Sequence, residues 1–168
     1  MNLQEFFDYK NQLMKDILTT DSIVKLIDDT VGTGVSAAEA LAYKRVFPYE
    51  YIPETVQEGV TYVCFDVDIQ ESLKKPYYSP TIYVWVFTHR SKLRLAEGGV
   101  RTDKLCAEIC KKINGSMYYG LGELSLYSCK RFAPMTDFNG KMMTFRADDI
   151  SHTHDHGKDI PANRRLGI

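Results

Sequence analysis

Residues 81–88 read TIYVWVFT, with Ile82, Val84 and Val86 on one side of an extended chain and Tyr83, Trp85 and Phe87 on the other. Strand side chains alternate between faces, so this segment is apolar on both. Its β-branched and aromatic residues suit a pleated, covered surface. A strand of this kind needs cover on both sides of the sheet. Upstream, Val60–Gln70 alternates more cleanly. Val63, Phe65, Val67 and Ile69 are expected on a buried face, and Tyr62, Cys64, Asp66 and Asp68 on a largely wet one. The connection Glu71–Ser79, with Lys74, Lys75 and Pro76, is short enough to join the two strands as an antiparallel pair.

Outward from this pair the period changes from two to that of a helix. Leu3, Phe6, Phe7, Met14, Ile17 and Leu18 predict a helix over 3–18, with Asn2 and Glu5 as a capping box. A second short helix is expected over Ser22–Asp29. The pattern weakens over 31–59, a stretch too long for a bare loop in a compact domain. Ser36 is expected to cap a short helix over Ala37–Tyr43. Pro48 and Pro53 then enforce extended chain, with Phe47, Tyr49 and Tyr51 spaced two apart. Thr102–Ile113 reads as a helix with Leu105, Ile109, Cys110 and Ile113 on one face. Two more strands are expected near Glu123–Phe132 and Lys141–Asp148, with Asn139–Gly140 as the turn before the second.

Strands in pairs, with helices apart from them, predict an α+β fold: a mainly antiparallel sheet with helices packed on one face, in the order α-α-β-β-α-β-β. One domain is expected over 1–150, with residues 151–168 as a C-terminal arm. The length of 168 residues fits that reading. A formal net charge of −1 provides no global field toward nucleic acid or an anionic membrane. Cys64, Cys106, Cys110 and Cys129 fall inside predicted strands and a helix and form no CxxC pair, which reads as reduced thiols. The start, MNLQEFFDYKNQL, is interrupted by Glu5 and Asp8, unlike a signal peptide, and no stretch approaches a membrane span. The expectation is a protein made and used in solution.

The search for chemistry finds fragments. His152, His154, Asp155 and His156 are the ligand types of zinc or iron. The spacing is one residue short of the HxHxDH signature of binuclear metallohydrolases, and the cluster lies in the predicted arm. His89 ends a strand with no nucleophile joined to it by a motif. Gly98–Gly99 before a helix suits either phosphate binding or a turn. Asp66 and Asp68 share a strand face, where exposure explains them as well as acid–base work does. Arg90, Lys92, Arg94, Arg101 and Lys104 gather between strand and helix, without the interleaved aromatics of a single-strand binder. No catalytic residue, metal ligand or cofactor is assigned.

The unexplained feature is the row Tyr83, Trp85 and Phe87. Helices on one sheet face cover Ile82, Val84 and Val86, leaving the aromatics to be covered by the 31–59 excursion or by a partner. Large exposed aromatics favour partner surfaces. The segments THRSKLRL (88–95) and GGVRTDKLCAEICKKING (98–115), set between two strand pairs after an N-terminal helix, give an arrangement that resembles tail-terminator and neck proteins of tailed bacteriophages. The resemblance covers roughly 1–150. It implies a structural virion protein without enzymatic activity, forming a homo-oligomeric, hexameric ring that caps the tail tube and joins it to head-completion proteins. The ring would sit at the neck, be assembled in the host cytoplasm, let DNA pass through and touch no membrane. Subunit contacts are expected from Tyr83, Trp85, Phe87, Lys92, Arg94, Arg101, Phe47, Tyr49 and Tyr51. Another neck or connector component, and a small metal-dependent hydrolase using His152–His156, are the alternative readings.

Overall fold

The computed structural model describes residues 3–32, 34–71, 78–119 and 122–147. In chain order these form α1 (Leu3–Thr19), α2 (Asp21–Ile27), α3 (Val35–Leu41), β1 (Val46–Phe47), β2 (Thr61–Glu71), β3 (Tyr78–His89), α4 (Arg101–Ile113), β4 (Leu124–Phe132) and β5 (Phe138–Ala147). A 3-10 turn, Arg90–Lys92, follows β3. The strands lie in the order β1-β2-β3-β5-β4. Every junction is antiparallel except the short β1–β2 pair, so the class is the expected α+β.

β3 occupies the middle of the sheet, bonded to β2 on one side and β5 on the other. Helices cover one of its faces, and Phe47 and Tyr51 close over part of the other. On the helix side, Val63, Phe65, Val67, Ile82, Val84 and Val86 meet Leu13 and Ile17 of α1, Ile23 and Val24 of α2, and Leu105 and Ile109 of α4 in one core. Burying each such side chain is worth roughly 1.5–3 kcal/mol. α2 ends where Asp28 accepts hydrogen bonds from the amide (3.0 Å) and hydroxyl (2.7 Å) of Thr30, a local turn that competes with the helix.

Four local expectations change. Ser36 does not cap α3: the helix begins at Val35, and Gly34, at φ 79°, occupies the cap position without a side-chain bond. Asn139–Gly140 is not a turn but lies inside β5, and the reversal falls within residues 133–137, where the Phe138 amide donates to the Met135 carbonyl. The second face of β2 is not largely wet, because Tyr62 and Cys64 are fully buried. The excursion includes a strand, β1, which adds to the sheet edge in parallel and so reaches the second face. The Asn2 half of the expected capping box lies outside the described residues, as do His152, His154, Asp155 and His156 of the expected arm.

Candidate assembly surface

Register places the aromatic row in detail. Phe87 lies between Tyr62 and Gly140, Trp85 between Cys64 and Met142, and Tyr83 between Asp66 and Thr144. The two ends of the row have different surroundings. At the Phe87 end the chain covers itself: Phe47, Val60, Tyr62, Cys64, Phe87 and Phe138 form a second core. Tyr62 and Phe87 rings lie 5.2 Å apart, and Phe138 meets Phe87 edge-on at 5.6 Å. Tyr51 stacks on Phe47 at 4.0 Å, and its carbonyl accepts from the Cys64 thiol at 3.7 Å. Burial pushes the Cys64 thiol up to about 12, against the pull of that bond. Aromatic packing of this kind explains why the excursion holds its place without long regular structure.

At the other end, Tyr83 and Trp85 stack on each other with ring centroids 5.9 Å apart and 24° between planes. Both stay half-buried. Beside them Asp66 pairs with Lys10 at 2.6 Å, and the same lysine donates to the Pro48 carbonyl at 3.1 Å. Asp66 is therefore an anchor for α1 and the excursion, and Asp68 points to solvent two residues on. Tyr49 is exposed at 44%, the outward member of the 47–51 trio.

The basic loop divides in the same way. Arg101 turns inward and is 8% exposed, its Nε donating to the Lys92 carbonyl (2.9 Å) and its Nη1 to the Leu26 carbonyl (3.0 Å). Arg101 thus clamps the loop to the end of α2, a structural use of a residue expected to face a neighbour. Phe87, buried in the second core, and Phe47, under Tyr51, are likewise turned inward. Lys92 is half-buried and pairs with Asp29 at 3.2 Å. Arg94 is exposed. Gly98 and Gly99 take φ of 94° and 89° in the turn that brings Leu95 and Gly99 into a backbone bond of 3.1 Å. That turn requires left-handed backbone, which glycine adopts freely.

His89 is buried, and its Nδ1 lies 2.8 Å from the Ser91 hydroxyl and accepts from the Ser91 amide. It caps the 3-10 turn, and the Ser91 hydroxyl in turn accepts from the Gly59 amide at 3.1 Å. Among the described residues, no group of three His, Cys, Asp or Glu side chains is placed to hold a metal ion. A groove of about 410 Å³ between α2, α4 and the 94–100 turn is lined by charges of both signs, including the Lys104–Glu97 pair. Within it the Ser22 hydroxyl donates to the Glu108 carboxylate at 2.8 Å. None of the described helices is long and apolar enough to cross a membrane.

Sequence reading passed over two features. Tyr119 is fully buried and donates to the Asp16 carboxylate, which also accepts from Gln12 at 3.1 Å. Burial, reinforced by that carboxylate, pushes the Tyr119 hydroxyl above its ordinary range. Tyr127 is exposed at a register shift between Leu126 and Ser128, with the Arg146 guanidinium 3.7 Å over its ring. The bulge reorients Tyr127, and alternation in the sequence carries no sign of it.

No curated protein matches the chain. A chain from a solved structure described as the virion of a native gene transfer agent particle is 18% identical, with a TM-score of 0.42, covering 80% of this chain and 89% of that one. The model of the phage-associated YomW family matches residues 11–147, from the middle of α1 to the last residue of β5, and the chain belongs to that family.

Proposed function

We propose that this protein is a structural component of a phage virion that works by assembly, forming a hexameric ring that ends the tail tube and joins it to head-completion proteins. Membership of a phage-associated family carries the reading. The geometry supports it through a sheet face that its own chain covers at Phe87 and leaves half covered at Tyr83 and Trp85. Ring closure requires a heterologous contact, in which one patch meets a different patch on the next copy. Tyr83, Trp85, Tyr49, Tyr51, Lys92 and Arg94 form the candidate contact set, with Phe47, Phe87 and Arg101 holding it from beneath. Residues 1–150 act as the ring domain and 151–168 as an arm. The site is the neck of the particle, assembled in the host cytoplasm, and the step performed is mechanical joining.

The test is the mass of the full chain in solution, alone and with tail tubes. Wild type is expected to form rings or to add to tube ends. Tyr49→Lys and Arg94→Glu alter exposed side chains and are expected to leave folded monomers. A wild-type chain that stays monomeric and never joins tubes overturns the reading.

A further inference from the structure

α4 carries Cys106 and Cys110 one turn apart, on a shared helix face. β4 carries Cys129, whose register partner on β5 is Met143, and Met143 in turn stands opposite Val84 on β3. Met143 and Val84 both point into the core beneath the helices. Cross-strand partners share a face, so Cys129 points to the side on which α4 lies. Cys106 belongs to that core and Cys110 packs against it.

Three of the four cysteines therefore lie on the helix side of the sheet, where α4 packs over β5 and β3 and β4 is the next strand out. They differ in access: Cys129 is exposed, Cys110 half-buried and Cys106 buried. Burial raises Cys110 and lifts Cys106 to about 12, and the Cys129 sulfur adds to both shifts, so it lies within electrostatic reach of each helix thiol. β4 is a sheet edge bulged between Leu126 and Ser128, immediately before Cys129. A bulge bends the strand and re-aims the side chains beside it, and a disulfide requires a Cα separation of about 4.4–6.8 Å.

We propose that Cys129 is a modification site for low-molecular-weight disulfides, and that Cys110 converts the adduct into an internal Cys110–Cys129 bond. The Cys129 thiolate attacks one sulfur of a disulfide of the oxidised-glutathione class. That S–S bond breaks, a mixed disulfide forms, and one small thiolate leaves and takes up the proton lost by Cys129. The Cys110 thiolate then attacks the Cys129 sulfur, and the second small thiolate leaves with the proton from Cys110. Two protein thiols are oxidised by two electrons, and one small disulfide is reduced to two thiols. Exposure sets the order, since the open thiol meets the reagent first. The bond ties the free edge strand to α4 and removes the exposed thiol from cross-linking between copies. None of this depends on the assembly reading.

Native full-length protein is incubated with oxidised glutathione, quenched in acid, and mapped by peptide mass spectrometry. Wild type is expected to lose two thiols and yield a linked Cys110–Cys129 peptide, with a higher unfolding midpoint that dithiothreitol reverses. Cys110→Ser is expected to stop at a glutathione adduct on Cys129, and Cys129→Ser to leave Cys110 unmodified. Cys129 is exposed and Cys110 half-buried, and circular dichroism checks that both variants keep the fold. An unreactive Cys129, a wild-type adduct that persists unresolved, or a linkage through Cys106 overturns the proposal.

Discussion

Gly140 lies directly opposite Phe87 on the neighbouring strand, so close that a Cβ on it would stand 2.7 Å from the Phe87 Cβ and 2.2 Å from the Val86 carbonyl oxygen. The absent side chain makes room for the Phe87 ring between Tyr62, Phe132 and Phe138. Gly140→Ala is expected to destabilise the fold by at least about 1–3 kcal/mol, since strand backbone and not a flexible side chain must move. Urea unfolding measures the loss, with Asn139→Ala beside it as a control expected to cost much less.

Arg101 and Arg94 both lie in the basic stretch that joins strand to helix, yet opposite outcomes are expected. Arg101→Met leaves the Leu26 and Lys92 carbonyls without their charged donor. A loss of about 3 kcal/mol follows from two such bonds. Arg94→Ala, at an exposed position, is expected to stay within about 0.5 kcal/mol of wild type. Paired denaturant curves distinguish the inward arginine from the outward one.

The buried thiols set an alkaline limit. Burial holds Cys64 and Cys106 protonated up to about 12 in the fold, from an ordinary value of 9.0. Above that ordinary value the unfolded chain releases these protons while the folded chain keeps them, so the unfolded state binds fewer. Stability is therefore fully present below about pH 9 and falls as pH rises toward 12. Raised Tyr62 and Tyr119 hydroxyls act in the same direction. Denaturant midpoints taken across this range are expected to decline, and Cys64→Ala is expected to flatten the decline while lowering stability at neutral pH.

Trp85 is the single tryptophan, and it stacks on Tyr83 at the half-covered end of the face. If a neighbouring copy completes the cover, its emission should shift to shorter wavelength in step with the rise in mass. Acrylamide quenching should weaken over the same protein concentrations. Emission that ignores assembly would place the subunit contact elsewhere and leave Tyr49 and Arg94 to be tested alone.

The sequence by itself determined the strands and helices whose periodicity is strong: TIYVWVFT had to be a strand, because β-branched and aromatic residues alternate along it and make both of its faces apolar. α1 and α4 were legible for the same reason, each having one apolar stripe that needs a sheet. Contacts between residues distant in sequence were not legible. The sequence offered Asn139–Gly140 as a turn, whereas the glycine serves close packing beneath Phe87, a demand made by a strand some fifty residues earlier. Tyr62 and Cys64 looked wet because alternation shows only that two faces differ, and it was β1 and Tyr51 that closed over the second one. Arg101 looked like surface because its partners, the Leu26 and Lys92 carbonyls, are backbone atoms that any sequence supplies. Only tertiary structure divided the aromatic row, burying Phe87 and leaving Tyr83 and Trp85 half covered, because burial belongs to the whole packed surface and not to one strand.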